Sequence, residues 1–471
     1  MNEQGQSTTG RALAFRGAIM LSLSGLSAAV AHWTGFTGPQ VVSIGTFLTI
    51  ILATLFFWQF RLAIAFLGIA VLLGAKVLTL KSFIESSELD IILFLVGMMV
   101  TVGAMKDLGF FTWIIQSVIV MPNMSGRLFI AIVVFLSAGM ACVVDEVTSI
   151  VFMSTLVFQV CDTLKMAPGP FLIISVLATN IGSSGTMLGN PVGILIGTEA
   201  GLTFEDFVVW AFPVMFLSLC ATLGILLTYY RRQIAELSER LKTRRELKLG
   251  LAPPVRVSYG HGLGVLVAMI ALVASHHRLE RLLGVETNTM LVVSPLVIAG
   301  VLMIWRHDRA RHYIETEVEW WTLLFFMMLF AAAGTLEHTA VTSRVAHDFT
   351  RALSGRGYLL LPAVLVVSAL GSAFVDNVVM VAAFIPVVKE LNSTPLWWAM
   401  LFGSCFGGNI TMIGSTANIV ALGMLEKRYR THLRFVDWLK AGFLVGAVTC
   451  LLAWAALALL SPYMPAMPPR P

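Results

Sequence analysis

The sequence predicts an all-α polytopic membrane protein made of two inverted-topology repeats, each with a re-entrant helical hairpin and a broken transmembrane helix. Three observations carry that expectation. Of the 471 residues, 58% are hydrophobic and 12% charged, against roughly 45 to 50% and about 25% in soluble domains. Apolar runs of about 20 residues, the length a bilayer-spanning helix needs, recur along the chain. The stretch SAGMACVVDEVTS at 137–149 returns as SALGSAFVDNVV at 368–379, with an aspartate inside each apolar run.

The repeat reaches well beyond those stretches. At a spacing of 231, Ser137 matches Ser368, Asp145 matches Asp376 and Val147 matches Val378, while upstream Glu88 meets Glu319, Phe94 meets Phe325 and Gly103 meets Gly334. The glycine-rich stretches TNIGSSGTMLGNPVGI and FGGNITMIGSTANI pair at 225, and the spacing returns to 231 for Leu202 with Leu433, Phe204 with Phe435 and Asp206 with Asp437. A unit this long, present twice, fits the halves of a transporter better than a solenoid.

Taken in order, a leading transmembrane helix near 14–34 occupies residues 1–38. Arg11 and Arg16 before its apolar run GAIMLSLSGLSAAVA, and Ala29, Val30 and Ala31 near the end of that run, form the pattern of a cleavable signal, but a retained helix is expected. Repeat 1, 39–230, holds spans near 40–59, 62–80 and 89–105, a hairpin at 127–161, a broken helix at 170–199 and a span at 206–229. A basic linker, 231–258, carries Pro253 and Pro254. Repeat 2, 259–460, holds spans near 259–275, 289–305 and 320–336, a hairpin at 358–390, a broken helix at 395–424 and a span at 436–460; the tail is 461–471.

With non-crossing hairpins this makes eleven spans, five per repeat, and an odd number forces the two copies into opposite orientations. Charge agrees with that parity. Residues 231–256 hold eight Lys and Arg against three Glu, and Arg306, Arg309, Arg311, Lys427, Arg428, Arg430 and Arg434 fall on the same side, which is cytoplasmic by the positive-inside rule. Glu199, Glu205 and Asp206 fall opposite, with Arg278, Arg281 and Arg344 as exceptions. The linker reads first as a topogenic anchor at the lipid surface and second as a partner-binding element.

An ionisable group inside an apolar run is costly and marks function by default. Locally, Asp145 and Asp376 are suited to cap the helices that begin just after them. A helix that begins in mid-membrane also presents free N–H groups and a positive dipole end to a cavity. Glu146 and Asn377 are equivalent positions, so the first tip has two carboxylates, followed by Thr148 and Ser149, and the second has one carboxylate and an amide. Neighbouring carboxylates resist simultaneous ionisation, so one holds a proton unless a cation is present.

The glycine-rich stretches add Asn180, Gly182, Ser183, Ser184, Thr186 and Asn190 in one copy and Gly407, Asn409, Thr411, Ser415, Thr416 and Asn418 in the other. These are hard oxygen donors beside flexible backbone, with close packing of small residues as the alternative reading. No Lys or Arg lies near the centre of a span, which favours a cation or a neutral weak acid over a bulky anion. The five cysteines lie in apolar segments without CxxC spacing and read as core. The nine histidines cluster at span ends without HExxH spacing, so no metal site is expected. Without a nucleophile elbow, Walker loop or nucleotide fingerprint, neither an enzyme nor a nucleic-acid partner is expected. The small ions H+ or Na+, transported or coupling, take the place of a cofactor.

The segments FLVGMMVTVGAMKDLGFF and NIGSSGTMLGNPVGILIGTEAGLTFEDF resemble motifs of the ion transporter superfamily. The similarity covers about residues 60–460 and points to the branch that holds the arsenite permeases, the NhaD-type sodium/proton antiporters and the melanosomal P protein, citrate-transporter-like and related to divalent-anion/sodium symporters. The resemblance implies a homodimer in a bacterial inner membrane, in which a hairpin-bearing part moves as an elevator against a scaffold. In the related symporters the hairpin tips carry Ser-Asn-Thr, which binds carboxylate and frames sodium sites. The matching positions here lie near Asp145 to Val147 and Asp376 to Val378, a replacement that argues against dicarboxylate, and Glu146 departs from the Asn of many relatives. Sodium/proton antiport is the leading expectation. The alternatives are efflux of an oxyacid such as arsenite or silicate, or anion symport, and a transport-inactive docking protein that works through 231–258.

Overall fold

The computed structural model describes residues 3–247, 259–352 and 357–465, and among these residues all regular structure is helical. The first half of the chain runs through α1 (Glu3–Trp33), α2 (Gly38–Phe56), α3 (Arg61–Gly74), α4 (Leu80–Ser86), α5 (Leu89–Asp107), α6 (Phe110–Ile119), α7 (Gly126–Val143), α8 (Glu146–Leu164), α9 (Gly169–Gly182), α10 (Pro191–Ala200), α11 (Phe204–Asp206) and α12 (Phe212–Tyr229). The connecting helix is α13 (Arg231–Glu246). The second half runs through α14 (Gly260–Ala274), α15 (His276–Leu283), α16 (Thr289–Trp305), α17 (Ala310–His312), α18 (Trp320–His338), α19 (Val341–Ala352), α20 (Leu360–Phe374), α21 (Asn377–Leu391), α22 (Thr394–Gly407), α23 (Thr416–Tyr429) and α24 (Phe435–Leu460).

Element boundaries repeat as closely as the residues do. Moved by 231, α5 falls on 320–338, the whole of α18, and moved by 225, α9 falls on 394–407, the whole of α22. The short α6, which sequence reasoning passed over, has its counterpart in α19. Packing follows the same rule. Gly182 lies so close to α7 that a side chain there would overlap the backbone of Ala138, and its counterpart Gly407 lies in the same way on Ala369 of α20. Small residues at these crossings let two backbones approach, the usual device where lipid removes the hydrophobic drive for helix association.

Among the described residues nine helices are long and apolar enough to cross a bilayer, or up to ten if the bent pair α14 and α15 forms one span. This differs from the eleven expected because different segments qualify. α9, α10, α22 and α23 have 14, 10, 14 and 14 residues, each too short to cross alone. The two arms expected to be too short for spans, α7 and α8, have 18 and 19 residues and qualify separately. Together they run from 126 to 164, beyond the expected 127–161 by Gly126 at one end and by Asp162, Thr163 and Leu164 at the other.

The chain divides into two compact units. The first takes Met1–Ile92, Glu319–Gly357 and Ala382–Asn392, and the second takes Leu93–Val318, Tyr358–Val381 and Ser393–Pro471. Each unit therefore draws on both repeats. In the first, the buried Arg61 guanidinium lies 3.6 Å from the Trp58 ring and 4.9 Å from the Phe325 ring and donates to Thr322 Oγ1 at 3.3 Å. The aromatic faces thus hold a cation that would otherwise be costly inside the protein.

In the second unit the connecting helix α13 grips the open end of the first hairpin. Gly126 N, at the start of α7, donates to Ser238 Oγ at 3.0 Å. Arg240 donates to Leu164 O at 2.6 Å and Lys165 O at 3.0 Å, Arg244 to Thr163 O at 3.2 Å and Arg245 to Met124 O at 2.9 Å. The Arg240 and Arg244 side chains satisfy carbonyls left free at the C-terminus of α8 and sit where a cation complements the helix dipole. On the exposed face Glu236, Glu239 and Glu246 offset most of the charge of Arg231, Arg232, Lys242 and Arg245, leaving one net positive charge. The rest of the expected linker, with Pro253 and Pro254, and the tail beyond residue 465 lie outside the described residues. The cysteines are buried at 142, 161 and 405, but Cys220, expected in the core, is exposed on α12.

Candidate functional site

The site lies within the second unit, where the tips of the two helix breaks and the two second halves of the broken helices converge. Asp145 is the N-cap of α8, and its Oδ1 accepts from Thr148 N at 2.7 Å. Asp376 does the same for α21, its Oδ1 accepting from Val378 N at 3.1 Å, and its Oδ2 accepts from Thr416 Oγ1 at 2.6 Å. Both aspartates are thus engaged with helix starts, as cap chemistry predicts.

Glu146 is held differently. Its side chain is buried at 2% exposure and meets neutral donors from three other elements. Asn377 Nδ2 lies 3.4 and 3.2 Å from its two oxygens, Asn190 Nδ2 lies 3.4 Å from Oε2, and Ser415 Oγ lies 3.4 Å from Oε1. All of these exceed the usual 2.9 to 3.0 Å of an N–H···O bond. Among the described residues no cation pairs with Asp145, Glu146 or Asp376, and no group of three or more His, Cys, Asp or Glu is arranged to hold a metal ion.

Asn190 and Ser415 are counterparts at a spacing of 225 and hold the same post, each the N-cap of its half-helix. Asn190 Oδ1 accepts from Gly193 N at 2.9 Å, and Ser415 Oγ accepts from Ala417 N at 3.1 Å. Behind them a polar chain continues inward. Asn190 Nδ2 reaches Ser183 Oγ at 3.0 Å, and Ser183 Oγ donates to Asn180 O at 3.0 Å. Asn180 Nδ2 then donates to Asn409 Oδ1 at 2.9 Å and Asn418 Oδ1 at 2.8 Å, forming a fully buried amide cluster. The acceptor side of that cluster is fixed, because Asn409 donates to Leu177 O and Asn418 to Gly408 O and Thr411 O.

The remaining expected residues have other partners. Thr186 and Thr411 donate to Cys142 O and Ala373 O, counterpart carbonyls in the last turns of α7 and α20. Ser149 donates to Ser137 O of α7, and Ser184 to Ile181 O in the last turn of α9. Thr148 gives its backbone N–H to Asp145, and Gly182 and Gly407 sit at helix crossings. One neighbour went unnoticed in the sequence: Cys405 Sγ lies 3.4 Å from Asn190 Nδ2. A signal for it existed, because Cys405 is the repeat counterpart of Asn180.

A broken-helix architecture with paired helix breaks invites comparison with known transporters, and the family described as CitMHS, citrate transporter, matches residues 54–403 and 351–467. The chain belongs to this family. An uncharacterized transporter of Mycobacterium tuberculosis is 30% identical over 403 residues, covering 83% of this chain and 91% of its own. The P protein of Homo sapiens is 26% identical over 456 residues, covering 79% of this chain and 53% of its own length. Among solved structures, the YdaH transporter of Alcanivorax borkumensis, whose topology is described as unusual, aligns at a TM-score of 0.55 and 16% identity over 92% of this chain and all of that one. That likeness extends to the fold. This citrate transporter family member is therefore an integral, multi-pass membrane transporter, and its helix breaks place an acidic, amide-rich site inside the protein.

Proposed function

We propose that this transporter exchanges a small cation, sodium first, for protons, with Glu146 as the group that alternately holds one or the other. The observation that carries the reading is the contrast among three carboxylates. Asp145 and Asp376 are bound at 2.6 to 3.1 Å by helix-start and hydroxyl donors, whereas Glu146 has only contacts of 3.2 to 3.4 Å from neutral groups. A buried carboxylate without a cationic partner is costly as an anion. A proton removes the charge and a cation balances it, and loose neutral donors allow either to leave. The carboxylate and Ser415 oxygens are the hard donors open to a cation, while the nearby helix starts, whose positive ends favour anions, steady the ionised carboxylate once the proton has left.

A second reading is favoured by the family match itself, since the family is described by citrate. Free citrate would meet three carboxylates and no cation among the described site residues, so a carboxylate cargo would have to arrive with a cation bound to it. The test is flux into proteoliposomes holding the purified transporter, at two pH values, for sodium, lithium, arsenite, sulfate and citrate, the last with and without a divalent cation. Wild type is expected to show sodium uptake driven by an outward proton gradient. The Glu146→Gln protein should lose that uptake by on the order of 100-fold, the size of effect expected when a positioned proton carrier is removed. Sodium flux unchanged in Glu146→Gln would reject the role of this carboxylate, and citrate flux without sodium flux would establish the second reading.

A further inference from the structure

The contacts around Glu146 have a property that none of them has singly: the set maps onto itself when the two repeats are exchanged. Glu146 and Asn377 are counterparts at a spacing of 231, and they touch each other. The other two partners, Asn190 and Ser415, are counterparts at 225, and both reach the same carboxylate. A residue that contacts its own counterpart lies on a two-fold axis, as in an isologous interface. Reciprocal contacts elsewhere obey the same relation. Gly103 makes room for Glu317, and Gly334, its counterpart, makes room for Ser86, the counterpart of Glu317.

We infer that Glu146 and Asn377 form one binding element on a pseudo-two-fold axis, an acid–amide pair in which the acid works from either hairpin tip. The inference rests on the proposed role of Glu146 and deepens it, because it assigns a single titrating charge to a site that two counterpart residues share. A glutamate at 377 facing an asparagine at 146 would meet the same set: the amide opposite, Ser415 and Asn190. Neither hairpin is then the special one. The asymmetry between the repeats at this point is chiefly one of charge placement; the one geometric difference is that Asn377 Oδ1 also accepts from Val378 N at 2.9 Å. By contrast, Asp376 receives the hydroxyl of Thr416, whose counterpart is Pro191, so the caps themselves cannot be exchanged in this way.

The test compares four proteins in proteoliposomes, wild type, Glu146→Asn, Asn377→Glu and the double exchange Glu146→Asn with Asn377→Glu, reading sodium uptake against a proton gradient and thermal stability in detergent. Glu146→Asn should lose uptake, and the double exchange should recover it to within about tenfold of wild type, a non-additivity that only a shared interaction produces. Asn377→Glu alone, with two carboxylates in contact, should shift the pH range of uptake upward, because one of them then keeps its proton at higher pH. The inference fails if the double exchange stays at the level of Glu146→Asn. It fails equally if the double exchange unfolds where Glu146→Asn alone is stable, since the preserved contact set requires both to fold. Should Glu146→Asn transport at the wild-type rate, it is the proposed role of Glu146 that fails, and exchangeability falls with it.

Discussion

Thr186 and Thr411 show how a residue that reads as a ligand also serves the backbone. The sequence placed both among oxygen donors for a cargo ion, on the strength of their matched positions. Each hydroxyl donates its hydrogen to a carbonyl near the end of a hairpin helix, Cys142 O of α7 and Ala373 O of α20. Replacing either by valine keeps the shape and removes the donor. An orphaned buried carbonyl costs about 1 to 3 kcal/mol, so Thr186→Val and Thr411→Val should lower the melting temperature in detergent by similar amounts. A weaker sodium affinity with no change in melting would instead assign the hydroxyls to the cargo. Glu146 stood out in the sequence because it replaced the asparagine of many relatives, and its counterpart relation to Asn377 was legible from spacing. That the two touch was not legible, because spacing gives equivalence and not proximity. The amide cluster of Asn180, Asn409 and Asn418 was hidden for a related reason: its members are not counterparts of one another, so the repeat offered no hint that they meet.

Helix breaks were legible because an aspartate or a glycine-rich run inside an apolar stretch disagrees with an uninterrupted span. Helix ends were not, and α7 and α8 qualify as separate spans of 18 and 19 residues because only Val144 and Asp145 part them. The role of α13 was hidden too. Its basic residues suggested lipid headgroups, yet Arg240 and Arg244 turn inward to the carbonyls of Thr163, Leu164 and Lys165, and three glutamates offset most of the charge of the exposed cations. A periodic pattern of charge does not say which charges face a neighbour. Removing both arginine side chains leaves the α8 C-terminus without these caps, for which about 1 to 2 kcal/mol is expected. The Arg240→Ala, Arg244→Ala double variant should therefore melt earlier, and loss should be smaller for Lys242→Ala, which pairs only with Glu246 on the exposed face at 3.9 Å. Equal losses would mean that the helix acts through its net charge and not through its caps.

At the scale of the whole molecule, the duplicated unit carries the functional argument, and the pseudo-two-fold axis through Glu146 and Asn377 lies in the membrane plane when the two copies face opposite ways and along the membrane normal when they are parallel. The one-to-one correspondence of α5 with α18 and of α9 with α22 agrees with the duplication read in the sequence, but duplication alone is equally compatible with parallel copies. The distribution of Lys and Arg favours inversion through the positive-inside rule. A direct test uses two exposed counterparts, Glu205 and Val436, which are separated by 231 residues and lie at the starts of equivalent terminal helices. In a cysteine-free background, Glu205→Cys and Val436→Cys should react with a membrane-impermeant thiol reagent from opposite sides of sealed vesicles, Glu205→Cys from outside. The loss of the exposed Glu205–Arg278 pair, 2.7 Å apart, should disturb the fold little. Labelling of both from one side would make the repeats parallel. In a parallel arrangement the axis through Glu146 and Asn377 would run along the membrane normal, so the exchange of acid and amide between hairpins would keep its geometric basis while the expectation of inverted copies would fall.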